Sequence, residues 1–263
     1  MRYLRLIGAF ARAAAQETVA YRVNFFISLM HTLIGVSTGI LSLVIIFNQV
    51  ETVQGWDFPS TLVLLGIYLT LDALRNLFIG PSLNALAGLG GAIWLGTFDF
   101  TLLRPVSIQF MATFQRWNLL AMLDLLVGLG VLVIAMGQMG QTLAWRNLLL
   151  FLVTLSAGLF ILYSLLLLFA SLLFWSPGFL FTWIFSDIFP LARYPVELYP
   201  NWLRLVLTWV LPVGLITTVP ATALNGSVTW PLLLGAVGVA VALFIGASAL
   251  FQGGLRRYAS ASS

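Results

Sequence analysis

From Val23 to Phe47 the chain carries no Asp, Glu, Lys or Arg. An apolar run longer than about 20 residues is long enough to cross a bilayer core as a helix. Hydrocarbon satisfies no backbone N–H or C=O, so only helices and closed barrels can cross it. Runs of the same kind recur near residues 61–80, 117–136, 148–174 and 230–251, without the period-two alternation of barrel strands. With 61% hydrophobic and 8% charged residues, the chain has too little charged surface for a soluble core of this size. We therefore expect an all-α polytopic membrane protein, with 1–263 as one transmembrane domain and no soluble domain, linker or short repeat.

Composition removes several chemistries. There is no cysteine, so disulfides, thiolate metal sites and Cys nucleophiles are excluded. There is no lysine, so the chain cannot form the P-loop G-x-x-x-x-G-K-[ST] or a lysine Schiff base. The single histidine, His31, lies in the first apolar run, where packing or an interhelical hydrogen bond is its ordinary role. An intramembrane hydrolase would need a serine such as Ser82 beside His31, and the two are expected in opposite halves of the membrane. No cleavable leader is expected, because the apolar run after the N-terminal arginines is too long for a signal peptide.

In chain order, residues 1–22 read as an interfacial elbow helix. Leu4, Ile7, Phe10 and Ala11 share a face, and Arg2, Arg5, Arg12 and Arg22 place it at the cytoplasmic surface. The first span is about 23–47, with Gly35 and Gly39 in a G-x-x-x-G. The loop 48–59 holds Glu51 and Asp57 and no positive charge, which suits the outer face. The second span, 61–80, contains Asp72 and Arg75, an i, i+3 pair. The third, 117–136, follows Arg116 and contains Asp124. Charges within a span are costly unless paired or wet, so Asp72, Arg75, Arg116 and Asp124 are expected to form one intramembrane polar cluster, structural or functional. The fourth span is about 148–174. The last, 230–251, stacks Gly238, Ala242 and Gly246 into a small-residue stripe and is followed by Arg256 and Arg257.

Arginines at both ends require an even number of crossings. Hydropathy allows seven, so one stretch within 177–226 falls short of crossing. Pro212, Gly214 and Pro220 break 205–224, and irregular backbone is tolerated at depth only when protein or water satisfies it. We therefore expect six transmembrane helices, with the fifth at 177–193 and a broken, re-entrant outer hairpin over 194–226.

The stretch 83–107 lies between spans two and three on the cytoplasmic side. It is too polar to cross and too aromatic for a solvated loop. Two readings stand: a coupling segment through which a separate ATPase drives the membrane part, or an interfacial helix that only caps the bundle.

Two stretches narrow the class. These are Gly96-Thr-Phe-Asp-Phe-Thr-Leu-Leu-Arg-Pro-Val-Ser107, and Arg193-Tyr-Pro-Val-Glu-Leu-Tyr-Pro-Asn-Trp202 leading into Leu211-Pro-Val-Gly-Leu and Val219-Pro-Ala-Thr-Ala-Leu. With them, the whole chain resembles the permease subunits of ABC-2-type ABC exporters, in the branch of small bacterial permeases that includes the viologen exporter family. The resemblance implies a coupling helix in 83–107 that inserts into an ATPase groove, with Trp94, Phe98, Asp99, Phe100, Arg104 and Pro105 as its contacts. It implies an outer gate at Arg193, Tyr194, Pro195, Pro212 and Pro220. It also implies a path between spans one, two and five, and a multi-pass location in the bacterial inner membrane with both termini cytoplasmic. The partners would be an ABC ATP-binding subunit, a second permease chain (identical or related) and membrane lipid, with no nucleic acid. ATP and Mg would be bound by the partner; this chain carries no cofactor, metal or catalytic residue.

The expected function is outward movement of a lipophilic or amphipathic cargo, powered by ATP hydrolysis in the partner. One rival is a proton-coupled secondary transporter using Asp72 and Asp124. Another is a membrane assembly protein without transport.

Overall fold

The structure, a computed structural model, describes residues 2–20, 22–140, 144–177 and 181–258. Helix α1 (Arg2–Ala20) leads into α2 (Arg22–Phe47). The turn that follows is closed by an isolated bridge between Val53 and Trp56. Helix α3 (Phe58–Asn84) starts where Asp57 caps it, its side chain accepting the Ser60 N–H at 3.0 Å, with Pro59 in the first turn. These are ordinary start signals for a helix. A π turn at Arg75–Ile79 interrupts it without ending it.

The expected third span, 117–136, is present and begins a few residues late. A short α4 (Ile108–Phe114) precedes α5 (Ala121–Gln138), and 115–120 between them is not helical. Bonds to α3 hold this break: the Asn118 N–H donates to the Leu77 carbonyl at 2.8 Å, and the Arg116 N–H donates to Ser82 Oγ at 2.8 Å. Helix α6 (Trp145–Leu172) is the fourth span.

The fifth crossing differs from expectation. Within 177–193 the described helix is only α7 (Phe181–Ile188), followed by a 3-10 turn at Phe189–Arg193 that contains Pro190. Together they rise about 22 Å, less than the ~30 Å of a hydrocarbon core. Pro190 cannot donate to an α-helical ladder, so the chain tightens there. Next come α8 (Asn201–Val210) and α9 (Val213–Leu224), which meet at 90° beside Pro212. Helix α10 (Trp230–Arg257) closes the chain.

Helices α6 and α10 run parallel, since Phe160 meets Phe244 near their middles and Phe174 meets Phe251 at their ends. The chain between them must therefore return across the bundle, and it does so in pieces. Helix α9 covers only the first half of α6. Ile216 lies against Gly158, and Gly226 lies against Asn147. The break expected within 194–226 is thus present as the bent pair α8–α9, which is either one broken span or a re-entrant loop. Among the described residues, five continuous helices are of spanning length, or six when the bent pair is taken as one span.

The closest backbone approaches rest on glycines outside any G-x-x-x-G, while Gly39 of the first span meets only the Leu65 side chain, at 3.3 Å. A Cβ at Gly66 would lie 2.8 Å from the Leu132 backbone, and one at Gly128 would lie 2.8 Å from the Thr70 N. Helices α3 and α5 therefore touch backbone to backbone. Gly35, Gly238 and Gly246, expected to mediate packing, have nothing within 4 Å in this chain.

Candidate functional site

The 83–107 segment lies at the end of the bundle where α3, α6 and α10 finish. It is not the expected helix. Gly88 and Gly96 take positive φ values of 77° and 69°, and only Asp99–Leu102 makes a helical turn. Its turns are closed by backbone bonds: Ala92 N–H to the Ala85 carbonyl at 2.9 Å, and Phe98 N–H to the Ala92 carbonyl at 3.0 Å. At Gly91 a Cβ would fall 2.4 Å from the Leu86 and Ala87 carbonyl oxygens, so the fold there admits only glycine.

Phe98, expected on the docking face, is instead fully buried. Its ring centroid lies 5.8 Å from that of Phe174 and 5.4 Å from that of Tyr258, and Phe174 in turn lies 5.3 Å from Phe251. The residues that do face outward are Leu89, Trp94, Leu95, Phe100 and Leu103, the last 81% exposed. Arg104 and Pro105 are exposed beside them. The Tyr258 hydroxyl sits near Asp99; burial first, and then that carboxylate, push its pKa up to about 12.

The expected four-residue polar cluster is divided. Arg75 Nη2 pairs with Asp72 Oδ1 at 2.9 Å, and Asn76 Nδ2 donates to Asp72 Oδ2 at 3.1 Å. Asp124 accepts instead from Thr32 Oγ1 of α2, although it stays within electrostatic reach of Asp72. Arg116 is apart: it lines a cleft of about 200 Å³ with Arg104 and Gln115 at the 83–107 end.

Sequence reasoning missed what Arg75 and Arg193 rest on. The Arg75 guanidinium lies 5.4 Å above the Phe189 ring, and that of Arg193 lies 5.2 Å above Tyr68. Tyr68 and Phe189 pack at 5.2 Å. This ladder of two cations and two rings joins α3 to the entry of the hairpin by cation–π and ring–ring attraction. The signal was available in part: Tyr68 and Arg75 are i, i+7 and share one face of α3. The Thr217 hydroxyl adds a second tie, donating to the Ala192 carbonyl at 3.1 Å. Tyr194 and Pro195 follow Arg193 into the hairpin, Pro212 sits at its bend and Pro220 lies within α9.

A family model described as ABC-2 family transporter protein matches residues 33–262. The chain belongs to the ABC-2 transporter family. No curated protein and no solved structure matches it. The match identifies the family and does not resolve the viologen exporter branch within it. This ABC-2 permease is therefore a multi-pass membrane component of an ABC transporter, a class whose ATP hydrolysis belongs to an ATP-binding partner.

Proposed function

We propose that this permease is the membrane half of an ATP-driven exporter and that the 83–107 segment is its docking surface for the ATPase. The observation that carries this reading is the exposed apolar row Leu89, Trp94, Leu95, Phe100 and Leu103 on turns that Phe98 anchors to the bundle. A solvated loop gains nothing from such a row, whereas a partner groove would bury it. Arg104 and Pro105 flank the row, and Arg104 would supply a polar contact to the ATPase.

In this reading the segment faces the cytoplasm of a bacterial cell, which puts both termini on that side of the inner membrane. ATP and Mg stay with the partner. Two permease chains, identical or related, would pair around a path bordered by α2 and α3. ATPase closure would move each segment, and the helices would rock as near-rigid bodies. The hairpin at the opposite end, with Arg193, Tyr194, Pro195, Pro212 and Pro220, would gate the exit. A path lined by apolar and aromatic side chains suits a lipophilic or amphipathic cargo.

The test is a mild-detergent pull-down of the tagged protein with an ATPase assay of the eluate, comparing wild type with Leu103→Glu and Arg104→Ala. We expect wild type to recover an ATP-binding subunit with vanadate-sensitive hydrolysis. Leu103→Glu should reduce that recovery at least about tenfold, with a smaller loss for Arg104→Ala. Wild type recovered alone, or both variants retaining the partner and its hydrolysis at the wild-type level, would overturn the reading.

A further inference from the structure

A pocket of about 510 Å³ lies between the two arms of the hairpin and the start of α10. Val196, Leu215, Val219 and Leu232 make much of its wall. Its size is that of a site for a ligand of a few hundred daltons. Two residues of its lining each carry a buried polar atom with no partner: Glu197 Oε2 and Thr218 Oγ1, the latter on a residue only 7% exposed. The other hydroxyls on the wall are already used. Thr208 donates to the Arg204 carbonyl at 2.7 Å, and Thr222 donates to the Val219 carbonyl at 2.8 Å. A buried carboxylate oxygen without a donor is expensive, and native folds keep few such groups. Arg204 lines the same pocket and is exposed.

We propose that this pocket binds the head of a zwitterionic amphipath that carries both an N–H-bearing ammonium and a phosphate, the chemistry of phosphoethanolamine. The ammonium donates to Glu197 Oε2 and Thr218 Oγ1, and the phosphate meets Arg204. A ligand of one sign would face a like charge on one wall, whereas a zwitterion meets both with its opposite. A trimethylated head keeps the positive charge but has no N–H to give. The apolar part follows the surface that continues from the pocket over Trp209 and Leu205, which are 78% and 60% exposed. The inference depends on the membrane placement of the chain and not on the exporter reading, because binding needs no ATPase.

Trp209 lines the pocket and serves as the reporter. The full chain is reconstituted in nanodiscs containing lipids with brominated acyl chains, and Trp209 quenching is read as the difference between wild type and Trp209→Phe. We expect brominated phosphatidylethanolamine to quench with about tenfold higher apparent affinity than brominated phosphatidylcholine or phosphatidylglycerol. Glu197→Gln should bring the ethanolamine-to-choline ratio near one, Thr218→Val should lower it, and Glu197→Asp should keep it. Equal quenching by the three lipids in wild type, a comparison that needs no pocket variant, would overturn the proposal. So would an unchanged ratio in Glu197→Gln. Tail-free glycerophosphoethanolamine separates the sources. If it displaces the quencher, the head alone is held and a soluble zwitterionic cargo fits the site. If it does not, head recognition stands with a membrane lipid as occupant.

Discussion

Segment 83–107 and hairpin 194–226 both interrupt the helices, and they treat their buried polar groups differently. In the first, the chain turns on positive-φ glycines, closes its backbone bonds and drives Phe98 into an aromatic box. The nearby buried polar atom without a bond, the Tyr258 hydroxyl, has Asp99 beside it. In the second, Glu197 Oε2, Thr218 Oγ1 and Asn225 Oδ1 are all buried without hydrogen-bond partners. A region whose polar groups are met from within holds its shape and can carry force. A region with several unmet groups is completed from outside, by a ligand, a second chain or a rearrangement.

The sharpest way to break this contrast is Phe98→Ala. Emptying a fully buried aromatic site costs about 3–5 kcal/mol, so the segment should come loose. Limited proteolysis within 83–107 should accelerate while the membrane helices stay protected. The matching test in the hairpin is Gly214→Ala, whose Cβ would lie 2.6 Å from Val196 Cγ1. That neighbour is a side-chain end and can shift, so a cost of about 1–2 kcal/mol is expected. Partner capture should persist while Trp209 emission changes. Thr217→Val removes the bond to the Ala192 carbonyl and should cost about 1 kcal/mol, read as faster amide exchange in 192–198 with exchange in 85–98 unchanged.

The smallest effect is at Tyr258. Its pKa of about 12 lies above the usual 10 because the fold disfavours the phenolate. The stabilisation is present below pH 10 and is lost as pH rises through 12. Proteolytic protection of the segment should fall over that window in wild type and stay flatter in Tyr258→Phe.

The sequence disclosed the regular parts well. Apolar runs placed the spanning helices, and Pro212 marked the bend between α8 and α9. It was less informative wherever the outcome depends on a partner surface. Phe98 and Phe100 stand two apart in one motif, and only the turn at Gly96 decides that one is buried and the other exposed. Gly35, Gly39, Gly238 and Gly246 drew notice because they share a helix face, yet the deep contacts belong to Gly66, Gly128, Gly158 and Gly254. Spacing within one helix does not report what the facing helix brings. The apolar composition of 177–193 hid the loss of helix at Pro190. The ladder of Tyr68, Arg75, Phe189 and Arg193 joins two stretches more than a hundred positions apart, a distance no local pattern bridges.

The aromatic box has a mechanical consequence. Phe98 is clamped where α6 and α10 end, and each of those helices is 28 residues, or about 42 Å, long. Two helices held at one end by the same side chain have the geometry of paired lever arms with a common handle. A tilt of only about 5° about the far end would carry the handle through roughly 4 Å. A small stroke at one surface thus needs only a slight tilt of both helices through the depth of the membrane, without any helix unwinding.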